Sequence, residues 1–142
     1  MPENDFHLEE CKNSKADLDL IQFAHDTIKQ KYRENFCTHI SALRTKSGKI
    51  YHATNLKYRY GQATMCSERI VIFQAENAGC SDFDTIVGGK YDPESETFKI
   101  VPPCAFCRQI EIYYPGLKTI LMDENGDLIV KTIEELYPYP YK

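Results

Sequence analysis

The sequence predicts an α/β fold in which helices pack on a mixed β-sheet. Three observations lead to this prediction. Segments with the apolar spacing of helices alternate along the chain with short apolar runs typical of strands. Glycine and proline steps separate these segments, and no linker, repeat or low-complexity stretch interrupts them before the Tyr-Pro tail. The length of 142 residues is that of one domain, 1–142, with enough chain for a hydrophobic core.

The first predicted elements are a long helix and a β-hairpin. Residues 14–34 place apolar side chains near helical spacing, with aspartates in the early turns, as a helix N-terminus favours. Residues 37–44 and 49–55 are two strand-like runs. The Ser47-Gly48 step between them is a hairpin signal, so these two strands are predicted to pair.

The middle of the chain is predicted to hold a helix, a strand and a second helix. Residues 66–78 fit either helix or strand by apolar content, and their length and the closing Gly79 favour helix. Residues 84–88 are typical of a short buried strand. Residues 103–114 begin with proline, which favours a first helical turn, and the Pro115-Gly116 step ends the helix.

The last third of the chain is predicted to form two strands and a short helix. Residues 117–122 and 128–130 are the strands, joined by a turn at 123–127. Thr132 and Glu135 then have the spacing of a capping box, which predicts the start of the last helix.

Composition and charge exclude several functional classes. The net charge of −4 and the absence of a strongly basic stretch argue against a protein that tracks a nucleic-acid backbone. No apolar run is long enough for a signal peptide or a membrane span, so we expect neither. Six cysteines without a secretory signal indicate reduced thiols, and hence a cytoplasmic location.

Two short motifs carry most of the chemical information: Cys-x-Glu at 66–68 and Pro-Cys-x-x-Cys at 103–107. Three thiolates can hold one zinc ion and leave its fourth position open to water, and a nearby carboxylate can then move protons for that water. This arrangement predicts a zinc hydrolase site. The predicted metal ligands are Cys66, Cys104 and Cys107, and the predicted general acid and base is Glu68.

The spacing predicts where these residues lie. Cys104 and Cys107 are three apart and share one face of a helix start, where the helix dipole favours a thiolate over a thiol. Cys66 and Glu68 are two apart and do not share a helix face, so Cys66 is predicted at the very start of its helix. Two helix starts are therefore expected to point at one metal.

Alternative interpretations exist for each motif taken alone. A Cys-x-x-Cys pair can be a redox pair or half of a structural zinc site. A histidine could close such a site, but none has motif spacing among His25, His39 and His52. The remaining cysteines are interpreted as one surface thiol and two packed small hydrophobic residues, in the order Cys11, Cys37 and Cys80.

Taken together, the motifs resemble those of the cytidine deaminase family, and specifically its short all-cysteine zinc branch, which includes blasticidin S deaminases. Cys-Ser-Glu-Arg at 66–69 matches the family's Cys-Ala-Glu-Arg, and Pro-Cys-Ala-Phe-Cys-Arg-Gln at 103–109 matches its Pro-Cys-Gly-x-Cys-Arg-Gln. Residues 46–51 resemble the family hairpin. The resemblance covers nearly the whole chain. It implies a three-layer α/β/α domain with a central mixed five-stranded sheet.

The resemblance also implies a mechanism. One zinc ion per chain would be held by the three cysteines, and Glu68 would carry protons between water and the cytosine base. Three thiolates exceed the charge of Zn²⁺ by one. Arg69 and Arg108 are therefore expected to donate to the sulfurs, as the family's arginines do.

The substrate-binding residues implied by the resemblance are Asn55, Phe36, Ser67, Pro102 and, as a departure from the family, Lys57. Asn55 corresponds to the ribose-binding asparagine, and Phe36 lies near a family aromatic beside the pyrimidine. Ser67 and Pro102 would contact the base through backbone groups. Lys57 stands where cytidine deaminases have a sugar-binding glutamate, and a cation cannot accept a hydroxyl proton.

The substrate implied is a free cytosine nucleoside or an analogue, either blasticidin S or cytidine and deoxycytidine, and Lys57 favours the first because blasticidin S carries a carboxylate. The resemblance further implies a homotetramer with shared active sites. It also implies that a tail aromatic reaches the base, one of Tyr137, Tyr139 and Tyr141. The competing hypothesis is a non-catalytic zinc or redox module.

Overall fold

The computed structural model describes the backbone of residues 2–142 and the side chains of residues 15–142. Its elements alternate between helix and strand. In chain order they are α1 (Pro2–Lys31), β1 (His39–Thr45), β2 (Ile50–Thr54), α2 (Ser67–Asn77), β3 (Phe83–Asp92), β4 (Thr97–Ile100), α3 (Ala105–Glu111), β5 (Lys118–Met122), β6 (Leu128–Thr132) and α4 (Ile133–Leu136).

The strands form one mixed sheet in the order β2-β1-β3-β5-β6, with β4 paired to the end of β3. Only β3 and β5 are parallel among the pairs of this sheet in the described residues, and α3 lies in the connection between them. All other pairs are antiparallel. Two parallel strands can be joined only by a crossover connection, and here that connection contains α3. The crossover places the start of α3 close to the start of α2.

The helices cover both faces of the sheet. On one face, α1 buries Leu20, Ala24 and Ile28 against strand side chains that include Ile40 and Val87. On the other face, residues of α2 such as Val71 and Ile72 pack with Leu43 and Ile86. Alternate residues of β1 point to opposite faces, which is why neighbouring positions join different clusters. The predicted α/β class, with three layers and a mixed central sheet, is confirmed.

The sheet has six strands, not the five that were expected. The prediction ended β3 at Gly88, but the strand continues to Asp92 and pairs with β4. Glycines inside a strand usually mark a bulge or a close approach, and here they mark close approaches. The ring of Phe98 occupies the space that a side chain at Gly89 would fill. The extra strand therefore follows from packing that a strand pattern does not reveal.

The helix boundaries also differ from the predictions. The first helix, expected at 14–34, begins at Pro2 and ends at Lys31, and Asn35 just beyond it has a left-handed φ of 61°. The helix expected at 103–114 spans only Ala105–Glu111, because Cys104 is extended and acts as its N-cap. Cys11, interpreted as a surface thiol, lies outside the described side chains.

The capping box at the last helix is confirmed. The Thr132 side chain accepts from the Glu135 backbone N–H at 3.3 Å, and the Glu135 carboxylate accepts from the Thr132 backbone N–H at 3.1 Å. Within the described part of the chain, no helix is both long and apolar enough to cross a membrane.

Candidate active site

Two helix N-termini bring three cysteines together, as the spacing predicted. Cys66 is the N-cap of α2 and Cys104 is the N-cap of α3, both with extended backbone, while Cys107 lies in the first turn of α3. The Sγ atoms of Cys66 and Cys104 are 3.8 Å apart, and those of Cys104 and Cys107 are 3.3 Å apart. All three lie within 4.8 Å of one another, which is a spacing that one tetrahedral metal ion can bridge.

The pKa values of the three thiols indicate that a cation is needed for all of them to ionise together. Burial raises the pKa of Cys66, and burial together with the charge of Glu68 raises the pKa of Cys107. Burial opposes ionisation of Cys104 too, but hydrogen bonds from the Cys107 backbone and the two neighbouring thiols lower its pKa. Three thiolates this close repel one another, so only a positive ion between them makes full ionisation favourable.

Glu68 lies beside this cluster, in the first turn of α2. Its side chain is only 8% exposed, and its Oε2 accepts from the Cys107 thiol at 3.6 Å. Burial raises the pKa of the Glu68 carboxyl. A carboxyl group so placed can exchange protons with a small molecule that occupies the space next to the sulfurs.

The neighbouring strands make room for the Glu68 carboxyl. A methyl group at Gly88 on β3 would lie 2.5 Å from Glu68 Oε1 and 3.3 Å from Ser41 Oγ. Ser41 of β1 in turn forms a 2.7 Å hydrogen bond with Ser67 Oγ in the first turn of α2. Gly88 and Ser41 are direct partners across the two strands and together form the support under Glu68.

Replacing Gly88 with alanine is therefore expected to displace the Glu68 carboxyl and to lower kcat by about 10- to 100-fold, without changing the capacity of the three thiols to bind a metal ion. Steady-state kinetics and metal analysis measure the two quantities. Gly61→Ala is the matched control, because a methyl group there meets open space and the backbone needs no left-handed φ. An unchanged kcat in Gly88→Ala would contradict the placement of Glu68.

A cavity of about 320 Å³ opens onto the thiols and Glu68. Of the residues predicted to bind substrate, Asn55, Ser67 and Pro102 line it, whereas Phe36 and Lys57 do not. The other lining residues are His39, Thr64, Met65, Cys66, Glu68, Val101 and Cys104.

Asn55 is held in one orientation by the backbone of the preceding segment. Its Oδ1 accepts from the N–H groups of Thr38 and His39 at 2.9 and 3.1 Å. The side-chain N–H₂ group is therefore the part that remains for a ligand. Sequence reasoning did not identify His39 as a pocket residue. The strand pattern could have indicated it, because successive side chains of β1 point to opposite faces of the sheet and His39 therefore lies on the face opposite to Ile40. Burial, followed by the charge of Lys90, lowers the pKa of His39.

The two arginines occupy different environments. Arg69 Nη2 lies 3.9 Å from Cys66 Sγ and 3.4 Å from the Thr64 carbonyl, and its guanidinium sits over the Phe106 ring at 5.6 Å. Arg108 was expected to donate to a sulfur as well, and this is corrected. Its Nε donates to the Pro103 carbonyl and its Nη1 to the Leu136 carbonyl, both at 3.0 Å.

Phe36, Lys57 and the C-terminal tail lie away from the cavity of their own chain. Phe36 packs against Tyr58, while Lys57 is exposed. The tail folds back on α3 instead of covering the site: the Tyr137 hydroxyl donates to Gln109 Oε1 at 3.0 Å, and Gln109 Nε2 donates to the Tyr141 carbonyl at 2.7 Å. Tyr139 and Tyr141 remain exposed.

Glu111, at the end of α3, is a buried carboxyl that sequence reasoning missed. It is fully buried, and neither of its oxygens has a hydrogen-bond partner among the described side chains and backbone. Burial, reinforced by the charge of Glu68, raises its pKa from 4.5 to about 8. The neutral form is therefore the one that the fold accommodates at neutral pH.

Glu111 makes the stability of the fold pH-dependent. Below pH 4.5 the carboxyl is protonated in both states, but above it the unfolded chain ionises while the folded chain keeps the proton until about pH 8. The free energy of unfolding therefore falls by on the order of 5 kcal/mol as pH rises through this window. Glu111→Gln is expected to remove that decline in denaturant titrations at pH 5 to 8.5. The exposed Glu124→Gln should retain it, and parallel wild-type and Glu111→Gln curves would refute this assignment.

Relatives of the chain are found by sequence and by structure, although no family model matches it. The blasticidin-S deaminase of Bacillus cereus is 36% identical over 131 residues, which cover 90% of this chain and 94% of that protein. The cytidine deaminase of Halalkalibacterium halodurans is 31% identical over 100 residues, which cover 69% of this chain and 72% of that protein.

Solved structures show the same architecture. The crystal structure of cytidine deaminase from Burkholderia pseudomallei matches 87% of this chain and 97% of its own, with a TM-score of 0.69 and 26% identity. The crystal structure of the cytidine deaminase from Bacillus anthracis matches 87% of this chain and 88% of its own, with a TM-score of 0.76. At 22% identity it supports the fold alone. The coverage and identity of these relatives, with a thiol triad and carboxyl in the motif order, show that this chain belongs to the cytidine deaminase family and is a hydrolytic deaminase.

Proposed function

We propose that this protein is a zinc-dependent deaminase of cytosine nucleosides or their analogues, with one zinc ion held by Cys66, Cys104 and Cys107 and with Glu68 as the proton carrier. One observation carries the proposal: the buried Glu68 carboxyl lies 3.6 Å from Cys107 Sγ at the end of a cavity that fits a small molecule. Zinc in such a site lowers the pKa of a water molecule to about 7.

The chemistry assigned to the chain is proton transfer by Glu68. The carboxylate takes a proton from the attacking water and delivers it to ring N3 as a C–O bond forms at C4. The second proton of the water reaches the exocyclic amine by the same carboxyl. The C4–N bond then breaks, ammonia leaves, and C4 keeps the oxygen as a carbonyl. The position of Glu68 beside Ser67 keeps the carboxyl next to the backbone that would face the base.

Arg69 is assigned to offset the charge of the three thiolates. Its Nη2 is 3.9 Å from Cys66 Sγ, and a cation–π contact at 5.6 Å with the Phe106 ring helps to hold the guanidinium there. Arg108 is assigned a structural role, because its side chain links two backbone segments that are far apart in the chain. It ties Pro103, just before the second motif, to Leu136 at the start of the tail.

The substrate preference is proposed to be blasticidin S over cytidine. The relative named blasticidin-S deaminase matches more of the chain, and at higher identity, than the relative named cytidine deaminase. Asn55, Ser67 and Pro102 line the cavity and are proposed to contact the nucleoside. Lys57 and Phe36 lie outside the cavity of their own chain, so a role for either requires the proposed homotetramer with shared sites.

The competing hypothesis of a non-catalytic module is not retained. A redox role is suggested by the 3.3 Å separation of the Cys104 and Cys107 sulfurs. However, membership in a family of hydrolytic deaminases, together with the third thiol of Cys66 close by, accounts for the same pair as metal ligands.

We also propose that residues 1–142 form one domain and that the protein is a cytoplasmic homotetramer. Light scattering coupled to size-exclusion chromatography would test the oligomeric state by measuring the mass.

The function is tested by ultraviolet absorbance, because deamination of cytosine shifts its spectrum. Zinc-quantified protein is mixed separately with cytidine, deoxycytidine and blasticidin S. Turnover of blasticidin S well above that of cytidine is the expected result. Efficient turnover of cytidine alone would reverse the proposed preference, and no turnover of any of the three would refute the proposed function.

A further inference from the structure

Four side chains with hydrogen-bond donors form a row across one end of the sheet. Asn55 follows β2, His39 begins β1, and Lys90 and Lys99 lie on β3 and β4. His39 pairs with Lys90, Lys90 pairs with Lys99, and the Asn55 N–H bonds to the His39 carbonyl at 3.1 Å. Partners across neighbouring strands point to the same face, so the four share one face.

This donor row (Asn55, His39, Lys90 and Lys99) is displaced by two residues along the strands from Ser41 and Gly88, the residues that support Glu68. Ser41 and Gly88 form the preceding row on the same face, and two residues of a strand span about 7 Å. Glu68, His39 and Asn55 line one cavity. A pyrimidine whose reacting carbon is next to Glu68 would therefore extend over the first row, and the group on its opposite side, the sugar and its substituents, would reach toward the donor row.

The donor row offers positive charge from the two lysines and a free amide N–H₂ group from Asn55, and it contains no carboxylate. Asn55 Oδ1 is already taken by two backbone N–H groups, and His39 Nδ1 is 2.8 Å from Thr38 Oγ1. Asp92 lies on the same face of β3, two residues beyond Lys90. Its oxygens accept from the Glu94 N–H and the Ser95 hydroxyl, at 3.0 and 2.8 Å.

Both lysines are exposed, and Lys90 is close enough to Asp92 for their opposite charges to interact. Neither Lys90 nor Lys99 forms an ion pair with any carboxylate of residues 15–142. They are also direct partners across β3 and β4, and like charges in that position destabilise a sheet. An anion bound between them would remove this repulsion.

We infer that the donor row binds a negatively charged group on the sugar side of the substrate, a carboxylate or a phosphate. The inference rests on the proposed function and adds a substrate class to it, which is cytosine nucleosides that carry an anionic group on the sugar side. Asn55 and His39 would donate to the neutral part of the sugar, and Lys90 and Lys99 would pair with the anion. Lys57, which sequence reasoning assigned to this task, does not line the cavity. Lys90 does not line it either, but it is the cross-strand partner of His39, which does.

The test compares substrates with and without an anionic group in lysine variants. The variants are Lys90→Gln, Lys99→Gln and the double variant, and the substrates are cytidine, cytidine 5′-monophosphate and blasticidin S. The double variant is expected to lower kcat/KM for the preferred anionic substrate by about 10-fold and to reduce its salt dependence, with cytidine changed less than about 2-fold. Lys131→Gln on the edge strand β6 is the matched charge control and should change none of them.

The three substrates also identify the anion. A lysine-dependent preference for the monophosphate indicates a phosphate, and one for blasticidin S indicates a carboxylate. Equal effects of the double variant on cytidine and on both substrates that carry an anionic group, or no effect on any, would overturn the inference.

Binding separates the failure of this inference from the failure of the proposed function. The same three compounds are titrated into zinc-loaded Glu68→Gln by calorimetry, with and without the two lysine substitutions. Lysine-dependent binding of an anionic compound without turnover in the wild type would support the inference and refute the proposed function. Turnover of cytidine with no lysine-dependent binding of either anion would leave the function standing and overturn the inference.

Discussion

Glu68→Gln is expected to lower kcat by about 1000-fold or more while the protein keeps its fold and its metal. The substitution removes the group that takes and returns protons but preserves the shape of the side chain. Glutamine should be tolerated, because the site is buried and burial already raises the pKa of the carboxyl and so favours its neutral form. The measurement is kcat from ultraviolet absorbance, with zinc content and melting temperature determined on the same sample.

The control for Glu68→Gln is Glu94→Gln, which removes an exposed carboxylate from the turn between β3 and β4. It should leave kcat, zinc content and melting temperature unchanged. A Glu68→Gln protein that retains more than about one tenth of the wild-type kcat, with normal zinc, would show that protons move through another group.

Cys107→Ala is expected to abolish zinc binding and to lower the melting temperature. Two thiolates would remain for a metal that needs at least three protein ligands in such sites, so the zinc content should fall from about one to below about 0.1 per chain. Metal binding to a site that exists only in the folded chain adds to folding stability, so its loss destabilises the protein. Metal analysis and thermal unfolding with and without a chelator measure the two effects.

Cys80→Ser is the matched control, because it removes a partly buried thiol that lies outside the cluster. It should bind zinc normally and respond to the chelator like the wild type. If Cys107→Ala retained stoichiometric zinc, the metal would have to lie elsewhere, and the assignment of the triad would be wrong. A chelator should leave the melting temperature of Cys107→Ala unchanged, since no metal remains to be removed.

Short-range patterns account for the parts of the site that were predicted. The Cys-x-Glu and Pro-Cys-x-x-Cys spacings place thiols at helix starts, because positions within one turn of a helix have fixed relative directions. The same reasoning predicted the capping box at Thr132. Alternation between helical and strand-like segments was likewise sufficient for the α/β class.

Contacts between distant segments account for most of what was missed. Arg108 was assigned to a sulfur because it follows Cys107 in the chain. Its guanidinium instead donates to the Pro103 carbonyl before α3 and to the Leu136 carbonyl, which the chain brings back beside α3. The strand β4 was missed because the two glycines of β3 were interpreted as the end of that strand. In the structure β3 continues through them, and the Phe98 ring of β4 packs against Gly89. Glu111 appears in the sequence as an ordinary helical glutamate, and only packing shows that it is buried.

The sequence by itself determined the class of fold and the group of atoms that performs the chemistry, since both depend on spacings of a few residues. Only the tertiary structure decided how that group is supported and what surrounds it. Gly88 makes room for Glu68, and His39 joins Asn55 and Lys90 in one row, through strand pairings between residues that are far apart in the chain. A shift of one residue in register would turn each of these side chains to the opposite face, and no local pattern specifies that register completely.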